Sequence, residues 1–192
     1  ALTAELAAVR LVREETTVGG PRAGRPSHLV VPQAADIGVV AVDVGVERIT
    51  VARVGVGGTI LDRRTARHNP SNHEMVAMAE VVARMGDELL RSDDRFTDQC
   101  IGVGVAVPGV VSDVDGRVRF APNLGWTDVP FGSTLAELLD LPVVLGNDGD
   151  LGALAEHRRG AGMGVPDMVY LVGDVGVGGG IIAGGQPLRG AS

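Results

Sequence analysis

The chain has 192 residues, a formal net charge of −7, 45% hydrophobic residues and 21% charged residues. That length can bury a real core and that composition excludes a disordered chain, while the acidic balance argues against a body that binds nucleic acid broadly. A single cysteine, Cys100, excludes a disulfide framework and a cysteine-rich metal site; 3% aromatics leave no stacking platform for bases; and the lack of a long apolar run or signal-peptide pattern points to a cytoplasmic protein with no membrane partner.

In chain order, residues 1–12 place Leu2, Leu6 and Val9 on one helical face, and an extended segment starts at Leu11. Residues 19–27 are a loop by composition, rich in Gly, Pro and Arg. Arg22 and Arg25 lie there, in a stretch with no acid, and residues 28–31 form the next strand. An arginine-bearing loop between strands suits a narrow, electronegative minor groove. An ordinary solvated linker accounts for the same residues equally well. The chain opens at Ala1 inside a helical pattern and closes at Ser192 just after a hairpin, which points to a piece of a longer protein.

Residues 37–42 read as an apolar strand running into Asp43-Val44-Gly45-Val46; residues 48–54, a turn at 55–58 and residues 59–66 complete an antiparallel meander. Ser71 and Glu74 have capping-box spacing before a helix that aligns Met75, Met78, Ala79, Val82, Met85 and Leu89 on a core face. His68 and His73 lack acidic or cysteine companions, so no metal site is assigned. Residues 101–107 are a buried strand, Pro108-Gly109 a turn, 110–120 a hairpin about 113–116, and 121–126 an irregular loop holding Asn123 and the only Trp. A short helix at 135–139 is stopped by Pro142. Residues 143–145 form a strand broken by Gly146, followed by Asn147, Asp148 and a helix from about 149 to 159 that is expected to bury Leu151, Leu154 and Ala155. A strand at 168–172, a Gly-rich turn and a returning strand at 181–183 end the pattern.

Two features carry chemistry. Asn147 and Asp148 stand where a strand turns into a helix, the edge at which α/β proteins bind ligands; the same two residues are also favoured helix caps, so a purely structural role fits them as well. The tetrapeptide Asp-Val-Gly-Val occurs at 43–46 and again at 174–177, each time after an apolar strand and before another. Two Gly-rich hairpins can offer backbone N–H groups to phosphates from opposite walls of a cleft.

Val105-Ala106-Val107-Pro108-Gly109, Ala121-Pro122-Asn123-Leu124-Gly125-Trp126, Asn147-Asp148 with Leu154-Ala155-Glu156-His157, and Gly178-Gly179-Gly180 leading to Leu188-Arg189-Gly190-Ala191-Ser192 together resemble the ROK family (repressor, open reading frame, kinase) over about residues 37–192. The resemblance implies an α/β, actin-like (ribonuclease H-like) sugar-kinase fold preceded by the tail of a winged helix-turn-helix domain. Its division would be residues 1–32 for the end of the DNA-binding domain and linker, 33–148 for the first actin-like lobe, and 149–192 for the start of the second. It implies that Asp148 corresponds to the base that takes the proton of the attacking sugar hydroxyl. Gly109, Asn123 and Asn147 match sugar-contacting positions. The phosphate-facing loops that hold Asp43, Gly45 and Glu47, and Asp174, Gly176, Gly178 and Gly179, depart from the family pattern: Val46 and Glu47 replace the second Gly and the hydroxyl donor of the first loop, and Asp174-Val175-Gly176 stands where Gly-Thr-Gly is usual, although Glu47 would point away from the cleft if strand alternation holds there.

The resemblance therefore points to a sugar-responsive transcriptional regulator that binds a sugar without phosphorylating it, contacts operator DNA through Arg22 and Arg25, and acts as a homodimer. No cofactor is expected within residues 1–192, because the family's zinc-binding stretch would follow Ser192; ATP with magnesium is expected only of a kinase. The alternatives are an ATP-dependent, glucokinase-like hexose kinase and an actin-like module without a ligand.

Overall fold

The computed structural model describes residues 2–16, 28–33, 37–68, 74–92, 99–112 and 114–190. Its centre is a five-stranded sheet of order β10-β6-β3-β4-β5, made of β3 (Gly38–Val44), β4 (Arg48–Gly55), β5 (Ile60–Arg67), β6 (Cys100–Val107) and β10 (Val143–Asn147). The β-branched residues that favour pleated, buried surface supply the strands. β3, β4 and β5 pair antiparallel, as the expected meander, and β6 lies parallel between β3 and β10. Val40, Val42, Val44, Ile49, Val51, Val103, Val105 and Leu145 share one buried core with α2 (Met75–Leu90) and α3 (Phe131–Leu139).

The expected face of α2 is the buried one: Met78, Ala79, Val82, Met85 and Leu89 all lie in the core. Its start differs from the capping-box reading. Glu74 is itself the cap, its carboxylate accepting the N–H groups of Val76 and Ala77 at 3.2 and 2.8 Å; Ser71 and His73 fall outside the described residues. The hairpin expected at 110–120 is present as β7 (Val110–Val111) and β8 (Val118–Ala121). A third strand, β9 (Trp126–Val129), extends it beyond the sequence reading. Between β8 and β9 the loop tightens into a 3-10 turn, Pro122–Leu124. Exposed ion pairs of Arg117 and Arg119 with Asp128 tie β8 to β9, and hydrogen bonds from Arg117 and then Arg119 hold the Asp128 carboxyl below the usual carboxylate range.

Two expectations around the central motif are corrected. Gly146 does not break β10, because parallel pairing with β6 continues through Gly146↔Ala106 to Asn147↔Val107. The following helix, α4, spans Asp148–Arg159 and buries Gly149 and Ala153 rather than Leu151 and Ala155, which are exposed. The reason is backbone proximity. A Cβ on Gly180 would sit 2.7 Å from the carbonyl oxygen of Gly149 and 2.8 Å from the Cβ of Ala153. The helix approaches the small sheet so closely that only small residues fit the contact, and the larger apolar residues turn outward.

That small sheet comprises β11 (Met168–Gly173), β12 (Val177–Ala183) and β13 (Gln186–Pro187), all antiparallel. α4 packs on it and also touches β10 and β6. At the other end of the chain, α1 (Leu2–Ala8) precedes an antiparallel pair, β1 (Val12–Thr16) and β2 (His28–Pro32). Residues 17–27, which include Arg22 and Arg25, lie outside the described residues. No described helix is long and apolar enough to cross a membrane.

Candidate functional site

β3, β6 and β10 run parallel, so the chain leaves all three at one edge of the sheet. Gly45-Val46, Pro108-Gly109 and Asn147-Asp148 are the residues that follow or end these strands, and all six line one cleft of about 270 Å³. The β11–β12 turn and the strand ends beside it supply Val172, Asp174, Val175, Gly176, Val177 and Gly178. Pro122 and Asn123, from the 3-10 turn, complete the lining. Residues that the sequence separates by up to 133 positions thus meet at the edge where the fold class places ligands.

Asn147 is doubly engaged. Its Nδ2 donates to the Gly109 carbonyl at 2.8 Å, and its Oδ1 accepts the Asp150 N–H at 3.0 Å. It is therefore the N-cap of α4, and Asp148 is the first helical residue, not the cap. An amide has two donor hydrogens and two acceptor lone pairs, so one of each remains for a ligand. One oxygen of Asp148 accepts the neighbouring Gly149 N–H at 2.8 Å; its charge sits in the first turn, where the helix dipole favours an anion. Gly109 has φ +117, and a Cβ there would collide with the Phe120 carbonyl and the Ala121 backbone. Only glycine lets this turn close over the β7–β8 pair. Asn123 is exposed and faces Gly176 across the cleft, its Nδ2 3.5 Å from where a Gly176 Cβ would be.

The phosphate-type loops divide. Gly45, Asp174, Gly176 and Gly178 line the cleft. Glu47 does not; it is exposed on the turn, its carbonyl accepting the His68 N–H at 3.1 Å. Gly179 lies inside β12 against Gly149 rather than on the cleft wall. Asp43, inside β3, sits behind the turn. Desolvation by the surrounding protein raises its carboxyl above the usual carboxylate range; Arg48 opposes the shift, and the charges of Asp148 and Asp174 add to it. Its accessible surface remains substantial, so the crowding is electrostatic as much as steric. His68 holds the first turn in place: its Nε2 lies 2.8 Å from the Gly45 carbonyl. Among the described residues, no group of three or more His, Cys, Asp or Glu is disposed to hold a metal ion.

Sequence reasoning missed the apolar part of the wall. Pro108, Pro122, Val46, Val172, Val175 and Val177 flank the polar residues, and for the four valines adjacency to the two glycine turns was the available signal.

The ROK family profile matches residues 39–192, four-fifths of the chain. The chain belongs to the ROK family. Both branches of the ROK family are among its relatives. The glucokinase of Halalkalibacterium halodurans is 33% identical over 80% of this chain and 46% of its own length. The xylose repressor of Caldicellulosiruptor bescii is 30% identical over 82% of this chain and 39% of its own. A crystal structure of a ROK family transcriptional regulator, a homologue of the E. coli MLC protein, superposes with a TM-score of 0.76 at 23% identity, covering 98% of this chain and 47% of that one; at that identity the likeness is one of fold. The chain spans less than half the length of each of these proteins.

Proposed function

We propose that this ROK chain is the sensing part of a sugar-responsive transcriptional regulator, with Gly109, Asn123, Asn147 and Asp148 holding a sugar that is not phosphorylated. The observation that carries this reading is the second turn. Where a phosphate would need hydroxyl donors beside backbone ones, the turn that lines the cleft carries Asp174, Val175 and Val177 around Gly176 and Gly178 and offers no Ser or Thr. Asp43 lies within electrostatic range of both Asp148 and Asp174. Unit charges of like sign a few Å apart oppose each other by about 1 kcal/mol in water and by several in a partly enclosed site. A triphosphate entering this cleft meets that opposition, whereas a neutral sugar does not. Glu47, outside the cleft, adds nothing to it. The helix and antiparallel pair at 2–16 and 28–32 fit the end of a winged-helix domain, the sequence between the two strands carries Arg22 and Arg25, and the regulator fold likeness covers almost the whole chain.

The kinase reading keeps one observation on its side: Asp148 stands at the cleft in the position expected of a base, and a glucokinase is among the relatives. Two measurements on the full-length protein separate the two. Titration calorimetry with D-glucose and D-xylose is expected to show binding, lost in Asn123→Ala. A coupled assay for ADP release is expected to show none. Sugar-dependent ADP release that disappears in Asp148→Asn would establish the kinase instead.

A further inference from the structure

Helix α4 starts in the cleft and ends somewhere specific. Its last residue, Arg159, donates from the guanidinium Nη1 to the carbonyl of Gly57, 102 positions earlier, in the tight turn between β4 and β5. The turn is built for this contact. Gly57 and Gly58 have φ +92 and +83, and a Cβ on Gly58 would lie 2.6 Å from Cζ and Nε of Arg159. The guanidinium occupies the space a Gly58 side chain would need, and its planar, forked donor set is not reproduced by a point-charge ammonium. The turn is pinned at its base by the Gly55 and Thr59 pair and by the Val56 N–H, which donates to Ile37 at 2.9 Å. Its outer side meets the N-terminal segment: a Cβ on Gly57 would be 3.8 Å from Cγ of Pro32, the last residue of β2. Pro32 is register partner to Val12, and the next residue, Gln33, donates its N–H to Leu11.

The chain of contacts is short and continuous. Asn147 and Asp148 line the cleft, twelve helical residues span about 18 Å, Arg159 grips the β4–β5 turn, and that turn abuts the β1–β2 pair. We infer that Arg159 is a positioning residue that couples the sugar cleft to the N-terminal β1–β2 pair through the β4–β5 turn. This rests on the sugar-binding reading above. A ligand that closes on Asn147 and Asp148 shifts the start of α4; a packed helix moves as a rod, and the displacement reaches Pro32 through the Arg159–Gly57 contact. Coupling of this kind is reciprocal, so an occupied DNA-binding end feeds back on sugar affinity by the same factor.

The test is hydrogen–deuterium exchange on the full-length protein with and without saturating D-glucose or D-xylose. In the wild type, sugar is expected to change exchange at the start of α4, in residues 55–59 and in β2. In Arg159→Ala the response at the start of α4 and the sugar affinity stay as they were, while the sugar-dependent response in residues 55–59 and β2 is lost. Arg159→Lys recovers only part of it, and Arg158→Ala leaves it intact. An undiminished response of β2 in Arg159→Ala overturns the inference, as does a wild type whose cleft is protected by sugar while residues 55–59 and β2 do not change. If neither sugar protects the cleft, the sugar-binding reading is what fails. The joint is then judged without ligand: faster exchange of residues 55–59 and β2 in Arg159→Ala upholds it, and unchanged exchange refutes it.

Discussion

The two copies of Asp-Val-Gly-Val do different work. In the first, Asp43 and Val44 are the end of β3, Val44 is 1% exposed in the central core, and the turn begins at Gly45. In the second, the turn begins at Asp174, Val175 is 55% exposed at its tip, and Val177 opens β12 at 86% exposure. Matched by structure rather than by letters, Gly45 corresponds to Asp174 and Val46 to Val175, a shift of two residues. The strand–turn–strand layout is shared; the tetrapeptide falls on different parts of it. The first copy divides, Val44 packing in the core while Gly45 and Val46 line the cleft, whereas all four residues of the second copy line the cleft, because burial is decided by register and not by sequence.

This contrast can be broken by mutation. Val44→Ala is expected to cost about 2 kcal/mol of stability by emptying a filled core site, read as a lower urea midpoint, whereas Val175→Ala stays within about 0.5 kcal/mol. Equal costs would mean that the second hairpin is as buried as the first. A smaller contrast separates the two asparagines. Asn147→Ala removes a helix cap and the bond to Gly109 and is expected to cost about 1–2 kcal/mol. Asn123→Ala leaves stability nearly unchanged, yet both abolish sugar binding in calorimetry.

The smallest effect concerns the acids. Asp43 has a carboxyl raised in the folded state, so the folded protein holds that proton more tightly than the unfolded chain does. Stability from this group is greatest below the unfolded value of 3.8 and declines as pH rises through the folded value. Asp43→Asn should therefore stabilise the protein at neutral pH, by only about 0.5 kcal/mol because the side chain meets solvent. The gain should vanish in thermal melts run below pH 3.8. Asp174→Asn removes one of the charges that raise Asp43 and should act in the same direction, more weakly.

Much of the fold was legible because its signals are local. The Met stripe of α2 and the β-branched runs of β3, β4 and β6 announce their own burial. Gly109, Asn123, Asn147 and Asp148 line one cleft; of these only the Asn147-Asp148 pair, at a strand-to-helix turn, was visible in the local pattern, while Gly109 and Asn123 were singled out by the family resemblance. What stayed hidden depends on partners far along the chain. Nothing near Gly146 reveals that pairing with Ala106 carries β10 through it. Nothing in Leu151 or Leu154 reveals that Gly180 comes so close to Gly149 that the small face of α4 is the one buried. Glu47 could be read either as a barrier to phosphate or as pointing away from the cleft; the structure leaves it out of the cleft lining. β9 was missed because Trp-Thr-Asp-Val is too short to show alternation.

Trp126 has a practical use. It is the only tryptophan in the chain, 3% exposed, with its ring 4.8 Å from that of Phe131 and its backbone three residues after Asn123. Its emission therefore comes from one site without background. A red shift on unfolding reports the loss of the β9–α3 junction, and any quenching or brightening on adding a sugar reports the turn that carries Asn123. The molecule contains its own optical probe for the cleft, and no label need be attached to follow occupancy.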